Sequence, residues 1–330
     1  MAANTVNGGG TGARSGAQTL LLLGAPINVS ILKALADGPK QQAELRRAAG
    51  SPAATTLRAQ LKKLGSMGAI EQRRRNRFPG ILEYELTAPG QELLVIAEVL
   101  ERWLGEAPDD PLGLESTGAK AAIKALTQGW STTMLRALAS GPLSLTELDG
   151  VIGSLSYPSL ERRLGAMRLA GQLEPRPGDG RGTPYAVTGW ARRGVAPLAA
   201  AARWERRHLS SSTASIGRLD TEAVFLLAVP LLQLDTELSG SCRMAAELSN
   251  GQDRRLAGVT VEVRQGNIAS CATTLRGKPD AWALGSSAAW LDAVVEGDSD
   301  RLGFGGDCRL ARNLIDGLHG ALFQVRDKLR

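Results

Sequence analysis

The pentapeptide Leu35-Ala36-Asp37-Gly38-Pro39 returns 103 residues later as Leu138-Ala139-Ser140-Gly141-Pro142. The same offset pairs Glu44-Leu45 with Glu147-Leu148 and Gly50-Ser51 with Gly153-Ser154, and carries Leu57, Leu61 and Gly68 onto Leu160, Leu164 and Gly171. A repeat resets the count of structural units before any other pattern is considered. Beyond Arg73 and Arg176 the offset falls to 101, so that Tyr84 answers Tyr185, Thr87 answers Thr188 and Arg102-Trp103 answers Arg203-Trp204. A length change confined to one place marks a loop. The first two thirds of the 330 residues are therefore one unit written twice, and the last third is something else.

Each copy reads as helices, a hairpin and a closing helix. In the first, Val29, Ile31, Leu32 and Leu35 follow helical spacing over Pro26–Ala36, and Gly38-Pro39 stops it. A short helix over Gln41–Ala49 ends at Gly50. Ser51 is expected to cap a third helix, Pro52–Met67, with Leu57, Leu61 and Leu64 on its inner face. Strands at Ala69–Arg73 and Ile81–Leu86 flank a basic tip, and Thr87 opens a last helix running to Trp103. Helix, helix–turn–helix, hairpin and helix make a winged-helix domain.

These runs also carry a family resemblance. ILKALADGPKQQAELRRAAG at 31–50, LRAQLKKLGSMGAIEQR at 57–73, YELTAPGQELL at 84–94 and ERW at 101–103 resemble the HxlR-type branch of MarR-like winged-helix repressors over roughly 20–104. MLRALASGPLSLTELDGVIG, LERRLGAMRLAGQLEPR and YAVTGWARRGVAPLAAAARWERR resemble the same family over 120–207. The resemblance implies DNA binding by paired heads, and a tandem fusion would place both in one chain. Some relatives sense oxidants through a cysteine near the start of the domain; neither copy contains one.

The major groove admits one helix, and phosphates reward nearby Arg and Lys. In copy one, Thr55, Thr56, Arg58 and Ala59 are expected on the reading face of the third helix, Lys62 nearer phosphate, and Arg73, Arg74, Arg75 and Arg77 on the wing. In copy two the matching candidates are Tyr157, Ser159, Arg162 and Arg163 on the helix, with Arg176 and Arg181 on the wing. Glu161 stands where copy one has Arg58, and Asp179 joins the wing, so copy two is expected to bind less strongly. A solvated hairpin tip is the bland account of the arginine run.

The remaining third changes periodicity. A helix over Thr221–Leu232 precedes strand patterns at Arg243–Leu248, Val259–Arg264 and Ile268–Thr273, joined at Gln265-Gly266-Asn267. Trp282–Leu284, a helix at Ser287–Val295, Leu302–Phe304 and a leucine-striped last helix complete an α+β layer. The segment DAWALGSSAAWLDAVVEGDSDRLGFGGDCRLARNLIDGLHGALF at 280–323 resembles sterol-carrier-protein-like domains, which implies an apolar tunnel and makes Trp282, Trp290 and Phe304 its candidate lining. Ordinary core packing is the alternative for all three.

The fold class expected is thus mainly α with small β-hairpin wings, plus a C-terminal α+β sterol-carrier-like domain. The divisions are 1–17 as a disordered tail, 18–105 and 119–209 as winged-helix domains, 106–118 and 210–218 as linkers, and 219–330 as the third domain. Net charge is +6 overall; by thirds (1–105, 106–209, 210–330) it is +5, +3 and −2, so the basic excess sits on the repeated units. Two histidines and three scattered cysteines, Cys242, Cys271 and Cys308, leave little for metal or acid–base chemistry. No enzyme activity, cofactor or metal is expected, and no apolar run is long enough for a membrane span. The partners considered are double-stranded DNA, an apolar small-molecule effector and a homodimer contact, in the cytoplasm at the nucleoid. The competing readings are an interaction scaffold built from winged helices and a lipid carrier whose DNA binding is incidental.

Overall fold

The computed structural model describes residues 14–75, 81–153, 155–178, 182–209, 216–250 and 253–324. Copy one comprises α1 (Ala17–Leu23), α2 (Pro26–Ala36), β1 (Lys40–Gln41), α3 (Gln42–Ala48), α4 (Ala54–Ser66), β2 (Ile70–Arg75), β3 (Ile81–Leu86) and α5 (Ala88–Gly105). Copy two comprises α6 (Thr117–Thr127), α7 (Gly129–Ala139), α8 (Leu145–Val151), α9 (Tyr157–Leu169), β4 (Leu173–Pro175), β5 (Tyr185–Val187), α10 (Gly189–Arg193) and α11 (Val195–His208). No single described helix is long and apolar enough to cross a membrane.

The copies share their local fastenings as well as their order. Gln41 with Glu44 and, 103 residues on, Ser144 with Glu147 form capping boxes that open α3 and α8. Thr87 caps α5 through Gly90 N and donates to Gly68 O; Thr188 caps α10 through Ala191 N and donates to Gly171 O. Lys40 pairs with Tyr84 in the sheet β1-β3-β2, and the matching Leu143 and Tyr185 form a bridge. The copies diverge at Gly194, which ends α10, where α5 runs on through Leu93. A Cβ at Gly194 would sit 3.2 Å from the Trp103 ring of copy one and 3.0 Å from Leu126 of copy two's own α6, so the glycine leaves room for Trp103 to approach.

Three expectations need correction here. Ser51 does not cap the third helix: it adopts φ 57°, and α4 starts two residues later than expected, behind Ala53, which makes no side-chain cap. Chain reversal after α3 takes the residue that the sequence offers as a cap. The expected tail also ends before residue 17. Arg14 and Ser15 are buried, Arg14 pairs with Asp220 at 3.0 Å and donates to Leu126 O, and Gly16 N and Thr19 N donate to the buried Glu205 carboxylate. The stretch read as the first linker is held as well, with Leu114 buried and Ser116 capping α6.

The copies meet along α5 and the α10–α11 pair, with α1 against α6 and α11. Trp103 Nε1 donates to Trp190 O at 2.9 Å, and Trp204 Nε1 donates to Pro89 O at 2.9 Å. Trp103 and Trp204 are equivalent positions, as are Pro89 and Trp190, so each copy gives the other the same bond. That reciprocity defines a two-fold-like contact.

In the last third, α12 (Arg218–Ala228) and a 3-10 turn (Val229–Leu231) precede β6 (Gly240–Asn250), β7 (Asp253–Arg264), β8 (Asn267–Ala272), β9 (Ala281–Ser286), α13 (Ser287–Glu296), β10 (Gly303–Gly306) and α14 (Cys308–Phe323). The helix expected to reach Leu232 is cut short where Pro230, which has no N–H, enters. Strand order is β10-β9-β6-β7-β8, with β6 and β9 parallel and the other pairs antiparallel. Val259, Val261 and Val263 point into the core as their alternation requires. One apolar cluster runs from Met134, Leu135 and Leu138 of copy two through Phe225 and Leu226 into this layer. The buried Glu222 of α12 binds Arg136 of α7 and Arg218, so charge reinforces that junction.

Candidate nucleic-acid interface

Helix α4 owes its exposure pattern to leucines three and four apart. Leu57, Leu61 and Leu64 are buried against copy one's core, each worth about 1.5–3 kcal/mol of burial. Thr55, Thr56, Arg58, Ala59 and Lys62 consequently face solvent together, as the sequence predicts. The first-turn amides of α4 have no side-chain cap, which leaves donors at the positive end of the helix dipole. Arg46 Nε donates to Pro52 O at 2.9 Å and steadies the turn before them.

Beside α4 lies an open groove of about 530 Å³ lined by Gln42, Arg58, Lys62, Glu71, Gln72 and Tyr84. Gln42 and the Gln72–Tyr84 pair, bonded at 2.9 Å, were not among the sequence candidates. Strand alternation from the buried Ile70 was the available signal, since it puts Gln72 on the same side.

The wing differs from the expectation of four outward arginines. Arg73 lies within β2 and is held by Glu71 at 3.0 Å and Glu85 at 2.9 Å, because alternation and register bring those three onto one strand face. Its charge is balanced within the hairpin. Arg74 is exposed on the opposite face, across from Leu82. Arg77 lies outside the described residues, and of Arg75 the backbone alone, closing β2, is described.

In copy two, Tyr157 and Arg162 are exposed on α9, whereas Ser159 and Arg163 are half-buried and Ser156 Oγ is bonded to Ser159 Oγ at 3.1 Å. Glu161 is exposed at the position of Arg58. Arg176 pairs with Glu174, which removes another expected wing cation, and Arg181 lies outside the described residues.

The three aromatic candidates of the last third do not converge. Trp290 is buried, donates to Ala245 O at 2.8 Å and meets Phe225 edge-on at 4.9 Å. Phe304 sits half-buried under the Arg312 guanidinium, 4.7 Å away. Trp282 is 39% exposed on the other face of β9, where Gly305 leaves room for its indole. Register decides this: Phe304 pairs with the buried Ala283, so Trp282 must point outward. An apolar cavity of about 70 Å³ lies instead at the junction of the units, among Arg14, Leu198, Ala202, Phe225, Trp290 and Val294.

Residues 22–110 match the family described as HxlR-like helix-turn-helix. The match takes in α2 to α5 with the groove and hairpin just described, about a quarter of the chain. No curated protein matches the chain.

Proposed function

We propose that the chain is a sequence-specific, DNA-binding transcriptional regulator in which both repeat copies are winged-helix heads and copy one is the principal reader. The HxlR-like match is the premise, and one observation carries the reading: Thr55, Thr56, Arg58, Ala59 and Lys62 stand exposed over a buried leucine row on a helix whose first-turn amides have no side-chain cap. A helix so presented fits the major groove, with short polar groups at its start for base edges and cations further on for phosphate. Copy two offers a carboxylate at the key position and a neutralised wing arginine, so it is the weaker reader.

An apolar effector is the proposed input, and the junction cavity is its candidate seat. At about 70 Å³ it is roughly half of a 150 Å³ site known to take benzene, so it suits a small ring or the end of a chain. Arg14 and Asp220 at its edge balance one another, which favours an uncharged molecule. Such a ligand acts on DNA affinity only by binding one arrangement of the heads better than another. The proposed location is the cytoplasm, at the nucleoid.

Selection of bound duplexes from random DNA, followed by anisotropy titrations at several salt concentrations, tests the regulator reading. An enriched motif and an affinity falling steeply with salt are expected. Binding without sequence preference, or none, would refute it.

A further inference from the structure

The reciprocal contact between the copies is symmetric in position but not in chemistry. Glu92 and Arg193 are equivalent, as are Glu106 and Arg207. In the fold, Glu92 meets Arg207 at 3.6 Å and Arg193 meets Glu106 at 2.8 Å. The same two positions are thus exchanged across the pseudo-axis, with both acids on copy one and both bases on copy two. His208, on the same side, also reaches Glu92, at 3.0 Å. If two copies one were paired in this geometry, Glu92 would face Glu106; in a pair of copies two, Arg193 would face Arg207.

A second difference is buried. Glu205, 3% exposed, accepts from Gly16 N at 2.6 Å and Thr19 N at 2.8 Å, at the start of α1. Its equivalent in copy one is Leu104, fully buried. At the start of α6, the helix equivalent to α1, Ser116 already caps Ala119 N. In a pair of copies two, Glu205 would therefore meet an end already satisfied, and in a pair of copies one the amides of α1 would meet Leu104. Surface ion pairs are individually weak, but a buried carboxylate without donors is costly, so the two differences act in the same direction.

We infer that the two halves are built to pair with each other and not with their own kind, so that one chain supplies the whole two-headed unit and reads a duplex whose half-sites differ. The half-site clause rests on the regulator reading; the pairing does not. It departs from the homodimer contact considered for the chain, because unlike surfaces specify the partner through repulsion as well as attraction.

The test uses the full chain. Sedimentation of the free protein should give the mass of one chain throughout the micromolar range. Replacing Glu92→Arg with Glu106→Arg should lower the thermal midpoint, and adding Arg193→Glu with Arg207→Glu should recover most of the loss. Glu205→Leu should also lower the midpoint, without rescue by the four-fold charge exchange. On the selected site one chain should bind per duplex, and palindromes made from either half-site should bind about tenfold more weakly or worse, the cost of one or more wrong base pairs. A chain that is dimeric in solution, or a charge exchange that recovers nothing, would overturn the pairing. Two chains per duplex, or a palindrome bound as well as the natural site, would overturn the half-site clause. Loss of all DNA affinity would remove that clause along with the regulator reading, leaving mass and charge exchange to decide the pairing.

Discussion

Arg58 and Arg73 are both basic residues of copy one, and their surroundings differ. Arg58 is exposed on α4, while Arg73 lies between Glu71 and Glu85. Arg58→Ala should relax the preference at particular base pairs by about 1–3 kcal/mol if it bonds a base in two places. Arg73→Ala should leave the salt slope nearly unchanged, whereas Arg74→Ala, which removes a proposed phosphate partner, should reduce it by about one unit. Anisotropy at several salt concentrations separates the two, and a full unit of slope removed by Arg73→Ala would reverse the assignment. The cysteines divide in a similar way. Burial pushes the Cys242 and Cys271 thiols up to about 12, while Cys308 is exposed. Because the thiolate is the reactive form, alkylation at pH 8 followed by mass spectrometry should find Cys308 modified and the other two spared. Reaction at Cys242 or Cys271 should grow only as pH climbs towards 12. Modification of Cys242 at the rate of Cys308 would show that the core opens readily.

Among elements, α4 and α9 occupy equivalent positions with unequal surfaces. Thr56→Glu places a carboxylate on a face otherwise carrying Arg58 and Lys62, and should weaken site binding by about 1.4 kcal/mol or more, a factor of ten. Ser159→Glu adds a carboxylate beside the existing Glu161 and should cost less. Equal losses in a competition assay would mean that both helices contribute equally to recognition. The hairpin is tied to α5 at Gly90, where a Cβ would come within 2.0 Å of Ala69 O. Gly90→Ala must push the hairpin from the helix, and should cost about 1–3 kcal/mol in a urea titration. Copy two carries Ala191 at that position, so its hairpin and helix cross with room for the methyl group.

At the scale of the whole molecule, the third unit belongs with copy two. The apolar cluster is continuous through Met134, Leu135, Phe225 and Leu226, and Glu222, 1% exposed, sits between Arg136 and Arg218. Glu222→Ala leaves Arg136 facing an apolar junction. It should destabilise by about 3 kcal/mol, the low end for a buried pair, because both arginines keep some water. Calorimetry should show copy two and the last third shifting together, since a shared core couples their unfolding. A shift confined to the last third would show the junction to be a contact between independent units.

Much of this protein was legible in its sequence because the relevant signals are local or periodic. Leucines at three and four put α2 and α4 in place, glycine and proline ended elements, and Val259, Val261 and Val263 declared the inner face of β7. The repeat gave two equivalent units and aligned their positions, and the exposed face of α4 followed from its buried one. Tertiary structure decided what depends on residues far apart in the chain. Arg14 looked like part of a small-residue tail until Asp220 and Leu126 closed around it. Arg73 looked like a wing cation until strand register set two glutamates beside it, and Trp282 and Phe304 looked like one lining until pairing of β9 with β10 sent them to opposite faces. The exchange of Glu92, Glu106, Arg193 and Arg207 left no trace in periodicity, because partners about a hundred residues apart share no local pattern. Only folding, which places equivalent positions across one axis, makes their charges complementary.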